Sequence, residues 1–187
     1  LNYDPINDFT QLGMVADMVV VLVANNGTQL KSLGDLIAQS KKDSKKFFYG
    51  TSGSGSAMNV AAESLKHQTG IHMDHVPFNG SAPNIAALMA GDIQLASDLT
   101  VAVMPFVTSG KIKALAVMSP KRLAQLPDVP TVAETVPGFE FSTFQAVQAP
   151  AGLPESIRGR LESALKDVVS TPEFEQKLKE LEFIPAY

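Results

Sequence analysis

"YGTSGSGSAMNVAAESL", Tyr49 to Leu65, sets Gly50, Gly53 and Gly55 among the hydroxyls of Thr51, Ser52, Ser54 and Ser56, directly ahead of an amphipathic run. Met58, Ala61, Ala62 and Leu65 fall on one helical face of that run, and Gly70 ends it. The preceding "KFFYG" reads as a short strand. Strand, Gly/Ser loop and helix in that order present free N–H groups at a helix start, an arrangement suited to an anion.

The unit then repeats. "IHMDHVPF" is a strand and "NGSAP" a second Gly/Ser turn, after which Pro83 opens a helix on Ile85, Leu88 and Met89 that stops at Gly91. "DIQLAS" is a third strand ending in Asp98, followed by a short helical stretch to Gly110, and "KIKALAVMS" is a fourth. Upstream, "MVVVLVA" (Met18 to Ala24) is apolar on both faces, as in a central strand of a covered parallel sheet, and Asn25-Asn26-Gly27 turns the chain out of it. Ser32 with Asp35 carries a capping-box signature, Leu33, Leu36 and Ile37 supply the apolar face, and Lys41, Lys42, Lys45 and Lys46 suit the helix end. Residues 1–17 read as an irregular entry with a short strand from Gln11 to Ala16.

Beyond the fourth strand, Pro120, Pro127, Pro130 and Pro137 make residues 120–138 an extended crossing segment, the composition of a domain boundary. "FEFSTFQAVQAP" is strand-like. A helix on Ile157, Leu161, Leu165 and Val168 follows, and Thr171-Pro172 starts a last one on Phe174, Leu178 and Leu181. The alternation predicts an α/β fold with a mostly parallel sheet flanked by helices.

Composition narrows the function. With 45% hydrophobic residues in 187, the chain has material for a real core, and a net charge of −4 supplies no field for nucleic acid. Absence of cysteine excludes disulfides and thiolate chemistry. The apolar run at Met18 is far short of the roughly 18 residues that a membrane helix needs.

In an open parallel sheet, ligands bind outside the carboxyl ends of the strands, so the two Gly/Ser loops should converge there. Thr51, Ser52, Ser54, Ser56 and Ser81, with helix-start N–H groups, could then hold a carboxylate without a cation. Ser56 and Ser81 read equally as ordinary N-caps, and the glycines as turn residues. The loop lacks Gly-Lys-Ser/Thr, and Met58 stands where a dinucleotide fingerprint needs glycine, so a nucleotide is disfavoured. A serine hydrolase using Ser52 or Ser54 with His75 is the enzymatic alternative, although Gly50-Thr-Ser52-Gly-Ser54 misses the nucleophile elbow. His72 and Asp74 share a strand face and could suggest a metal, but His75 points the other way and an exposed polar strand explains them better. Asp98, at a strand's carboxyl end, could orient a ligand donor or cap the next helix.

The segments "YDPINDFT", "FYGTSGSGSAMNVAAESL", "HVPFNGSAPNIAALMAGDIQLASD", "GKIKALAVMSPKR", "LPDVPTVAET", "PGFEF" and "APAGLPESI" together resemble the substrate-binding receptors of tripartite tricarboxylate transporters, the Bordetella uptake (Bug) family. The resemblance implies a periplasmic, non-enzymatic receptor with the type II, Venus-flytrap fold of periplasmic binding proteins. It further implies no cofactor or metal, a di- or tricarboxylate or aromatic acid as ligand, and transporter subunits as membrane partners. A sensory module for a two-component system would share this chemistry. Carried over by position, the ligand-binding residues are Thr51, Ser52, Gly53, Ser54, Gly55, Ser56 and Asn59 in the first loop, Phe78, Asn79, Gly80, Ser81 and Ala82 in the second, and Asp98.

Family members commonly show Tyr-Lys-Gly or Tyr-Arg-Gly where this chain has Phe78-Asn79-Gly80, often His in place of Asn59, and Trp in place of Phe144. The missing cation and phenol favour a less charged or differently shaped acid. Relative to the family, the expected organisation is a remnant of the first lobe in 1–17, the second lobe in 18–122, and a crossing segment with part of the first lobe in 123–187. The signal peptide, most of the first lobe and a final helix would lie outside it. Apolar surface left uncovered by the first lobe would favour self-association.

Overall fold

The computed structural model describes residues 2–43, 47–181 and 183–186. In chain order the elements are β1 (Phe9–Met18), β2 (Val20–Asn25), α1 (Leu33–Asp43), β3 (Phe47–Thr51), α2 (Ala57–Thr69), β4 (Met73–Pro77), α3 (Ser81–Ala90), β5 (Leu95–Leu99) and α4 (Thr100–Thr108). They continue with β6 (Ile112–Val117), α5 (Val132–Thr135), β7 (Thr143–Pro150), α6 (Glu155–Val169), α7 (Pro172–Glu180) and β8 (Ile184–Pro185). Two compact units result, one from Val19–Ser142 and one from Leu1–Met18 with Thr143–Tyr187.

The Val19–Ser142 unit is built on a five-stranded sheet of order β4-β3-β5-β2-β6. Strand β3 pairs in parallel with β4 and β5, whereas β2 is antiparallel to both of its neighbours, β5 and β6. Thus β3, β4, β5 and β6 share one direction, and "MVVVLVA" is the strand that runs against them. Its apolar character on both faces is nevertheless explained. Val20, Leu22 and Ala24 enter one core with Leu33, Leu36, Ala61, Leu65 and Tyr49, while Val19, Val21 and Val23 enter another with Ile85, Leu88 and Val103. Burial on both sides, rather than strand direction, is what the apolar run records.

Helix starts follow the local chemistry. Asp35 N–H bonds to Ser32 Oγ at 3.1 Å, but the Asp35 carboxylate accepts from Lys31 N–H rather than from Ser32, so the box closes one residue early. Lys41 and Lys42 lie in the last turn of α1, while Lys45 and Lys46 fall outside the described residues.

The proline-rich segment is more structured than its composition suggests. Thr131 and Glu134 form a reciprocal capping box at the start of α5, and Arg122 grips Glu134 through Nε and an Nη at 2.9 and 2.6 Å. These bonds, with Arg122 foremost, draw the Glu134 carboxyl down to a pKa of about 2. Leu123, Leu126, Val132 and Phe139 are buried in the cores of the same unit. The compact unit accordingly runs to Ser142 and takes in the proline-rich segment.

In the other unit, β1 is the middle strand of an antiparallel three-stranded sheet, β7-β1-β8. Pairing from Phe9 with Pro150 to Met18 with Thr143 extends it beyond the short strand expected. Helix α6 departs from its apolar pattern: Ile157, Leu161 and Val168 are exposed, whereas Leu165 is half-buried and Val169 buried.

Candidate functional site

At the carboxyl ends of β3, β4 and β5 the chain passes into α2, α3 and α4, and the two Gly/Ser loops meet there. Phe78 N–H donates to Thr51 O at 3.0 Å and Gly80 N–H to Ser52 O at 3.2 Å, stitching the second loop to the first. The convergence expected from the βα pattern is therefore present.

Each loop is fixed from within. Thr51 Oγ1, fully buried, accepts from Gly53 N–H at 3.3 Å, and Ser56 binds Gly53 O through both its N–H and its Oγ. Ser56 also caps α2, accepting from Asn59 N–H. The Asn59 side chain accepts from Gly55 N–H at 3.0 Å and donates to Tyr49 Oη at 3.0 Å, so it braces the loop against the core. Tyr49 in turn donates to Glu63 Oε1 at 2.6 Å. Burial first, then the Glu63 bond and charge, push the phenol well above its ordinary pKa. Burial opposes ionisation of Glu63, but the bonds from Tyr49 and Lys66 prevail and hold it below the carboxylate norm.

Ser81 does not cap α3: that position is Gly80, at φ 104°, with no side-chain cap. Its hydroxyl donates to Asp98 Oδ1 at 2.7 Å, while Asn84 Nδ2 donates to Oδ2 at 2.9 Å and Leu99 N–H to Oδ1 at 2.8 Å. Asp98 is fully buried, and the position capping α4 is Leu99. Rather than capping the next helix, the acid pins the first turn of α3 to the end of β5. Hydrogen bonds to a charged acceptor contribute about 1.5–3 kcal/mol each, enough to fix the loop's position. Phe78 likewise points inward, packing with Val76 around the core on the α3 side of the sheet.

The groups left facing outward are fewer. Among the described residues, the side chains of Ser52, Ser54 and Asn79 make no hydrogen bond to the chain, and Ser54 and Asn79 are exposed. The first-turn N–H groups of Ala57, Met58, Ser81 and Ala82 also find no protein acceptor. Among the described residues, two helix starts and three neutral polar side chains supply donors of the kind that can meet an anion through directed hydrogen bonds.

Tyr49 was not legible as part of this site, and His75, weighed only as a base for Ser52 or Ser54, has other partners. The imidazole stacks on Tyr49, centroids 5.0 Å apart at 29°, and its Nε2 lies 2.7 Å from Thr51 Oγ1. Burial lowers its pKa, with Lys66 assisting and Glu63 opposing. Its hydroxyl partner is thus Thr51, and it bonds to neither Ser52 nor Ser54, so the base–nucleophile pair of a serine hydrolase is not assembled. His72 is exposed, one residue ahead of β4, and no group of three His, Asp or Glu side chains among the described residues could hold a metal. No described helix is long and apolar enough to cross a membrane.

Comparison with known proteins shows the family. A family model described as "Tripartite tricarboxylate transporter family receptor" matches residues 1–187. BugT of Bordetella pertussis is 33% identical over 83% of this chain and 48% of its own length. An R. palustris protein solved with adipate superposes with a TM-score of 0.89 at 33% identity, covering 98% of this chain and 62% of that one. MatC from Rhodopseudomonas palustris, with bound malate, gives 0.88 at 27% identity over 99% and 63%. The chain spans about half the length of the curated relatives it matches, as with the 54% of an Agrobacterium vitis relative.

Proposed function

From a chain that belongs to the tripartite tricarboxylate transporter receptor family, we infer a periplasmic solute receptor that binds a small carboxylate at the joined loops and delivers it to a tripartite tricarboxylate transporter. One observation carries the reading: the Phe78 and Gly80 bonds to the first loop bring two helix starts side by side with the free polar groups of Ser52, Ser54 and Asn79. Neutral donors suit an organic acid whose charge is modest and whose shape the loops can surround. Adipate and malate, the ligands of the two neighbours above, are both of that class.

The inward assignments of Asp98, Asn59 and Phe78 support a division of labour in which these residues hold the loops and the outward groups meet the acid. Ordered water between loop donors and carboxylate oxygens fits donors of this kind, since a bridged bond is nearly as favourable as a direct one.

A thermal-shift panel tests the function: mono-, di- and tricarboxylates and aromatic acids, with amines and nucleotides as controls. A bound acid at a hundred times its dissociation constant stabilises by about 2.7 kcal/mol. A shift confined to carboxylates is the expected result. Stabilisation by amines or nucleotides instead would overturn the assignment.

A further inference from the structure

The Thr51 hydroxyl has one proton and three neighbours: His75 Nε2 at 2.7 Å, Gly53 O at 3.1 Å and Gly53 N at 3.3 Å. We propose that His75 is a positioning residue for the carboxylate site, acting through Thr51 on the Gly53 peptide, so that protonation of the imidazole strengthens anion binding. The proposal rests on the carboxylate-receptor reading and adds to it a specific pH response.

The hydrogen-bond roles follow from the inventory of each group. With the neutral ring carrying its proton on Nδ1, Nε2 accepts, the Thr51 proton points to the ring, and the oxygen lone pairs face Gly53 N–H. Once Nε2 is protonated it can only donate. The Thr51 proton must then turn to Gly53 O, which already accepts from Ser56 N–H and Oγ. The carbonyl that anchors the start of α2 gains a third donor, and a positive charge stands one hydrogen bond behind the loop.

The packing around the ring makes this a defined two-state element. Tyr49 covers one face of the imidazole, and Thr51 fixes its Nε2 edge. From α2, Glu63 favours the imidazolium while Lys66 opposes it; Asp74, the preceding residue on β4, is the adjacent carboxylate on its own strand. Tyr49 stays protonated throughout, because its phenol titrates far above this range. A ligand that binds the protonated form more tightly must lower the imidazole's acid dissociation constant by the same factor, raising its pKa by the logarithm of that factor, since coupling between two sites is reciprocal.

The test uses this chain with adipate and malate as probes. Nuclear magnetic resonance follows the His75 ring and the Gly53 amide against pH, with and without acid, in the wild type and in Thr51→Val, which keeps the shape and removes the hydroxyl. In the wild type, Gly53 should titrate with the His75 midpoint, the bound acid should raise that midpoint, and affinity should increase about fivefold on its acid side, the low end of ordinary coupling. In Thr51→Val, Gly53 should cease to follow the ring. His75→Gln, which can donate to Thr51 without titrating, should give a flat affinity profile over the same pH range.

A Gly53 amide indifferent to His75 in the wild type, or a bound acid that leaves the ring midpoint in place, overturns the relay while leaving the carboxylate reading intact. Failure of every carboxylate in the thermal-shift panel to bind at any pH overturns both. The wild-type titration decides the matter even if a variant does not fold.

Discussion

Gly50 and Asn84 occupy the same small space: a Cβ at position 50 would run into Asn84 Oδ1, and would lie 2.6 Å from Ile93 Cδ1 and 2.9 Å from Phe78 Cε2. Asn84 cannot retreat, because its Nδ2 is bonded to the buried Asp98. Its Oδ1 has no hydrogen-bond partner and rests against the Gly50 backbone. Gly50→Ala should therefore overpack this contact at a cost of about 3 kcal/mol. The melting temperature should fall by about 6 to 12 °C for a chain of this size. A variant that melts with the wild type would show that α3 can lift away from β3 freely.

Asp98 invites a different substitution. Asp98→Asn removes the charge that Ser81, Asn84 and Leu99 address, and sets an amide donor among donors. A loss of about 2 kcal/mol in the free protein is expected, from weaker charge-assisted bonds. Urea unfolding without ligand measures it. Unchanged stability would return Asp98 to the role of a direct ligand group.

Ser54 and Asn79 should behave oppositely. Both are exposed and donate to nothing in the chain, so Ser54→Ala and Asn79→Ala should leave melting of the free protein within about 0.5 kcal/mol of wild type. Carboxylate affinity should drop about tenfold for each bond lost, as a net 1.5 kcal/mol implies. Calorimetric titration with the strongest acid from the panel reads this directly, and an unaltered affinity in both variants would place the acid elsewhere.

These contrasts show what the sequence could convey. Loop position was readable because Gly53, Gly55 and Gly80 have positive φ and each sits between a strand and a helix. Core membership of β2 was readable because its residues alternate between two apolar cores. The direction of β2 was not, since burial on both faces looks alike in a parallel or an antiparallel setting. The T-x-x-E box of Thr131 and Glu134 stood in the sequence, masked by the prolines around it. The commitments of Asp98, Asn59 and His75 depend on partners 10 to 24 residues away on other elements, which no local period reveals.

Stability should respond to pH in a window set by His75. Its folded-state pKa lies below the ordinary 6.5, so between the two values the unfolded chain binds more protons and stability falls as pH is lowered. The decline begins near 6.5 and levels off below the folded value. Glu63 acts in a separate window: its lowered pKa gives stability that is present above 4.5 and lost as pH falls through the folded value. Chemical denaturation of His75→Gln between pH 7.5 and 5 should lack the first decline, while the Glu63 decline lies below that range and should persist in the variant. An identical profile in wild type and variant would assign the decline to other groups.

Ile157, Leu161 and Val168 are 46, 41 and 53% exposed, and lie within one narrow arc of α6, beside the arc that carries buried Val169. An apolar stripe of that kind gains by being covered, and a second copy of the chain is available in any concentrated solution. Sedimentation velocity should show association that rises with concentration. Ile157→Glu with Leu161→Glu should abolish it, because like charges would then face one another across the contact. The same pair of changes should cost the isolated chain little, since the side chains already stand in water. A wild type that stays monomeric at high concentration would mean that the stripe is too narrow to offset the entropy of association.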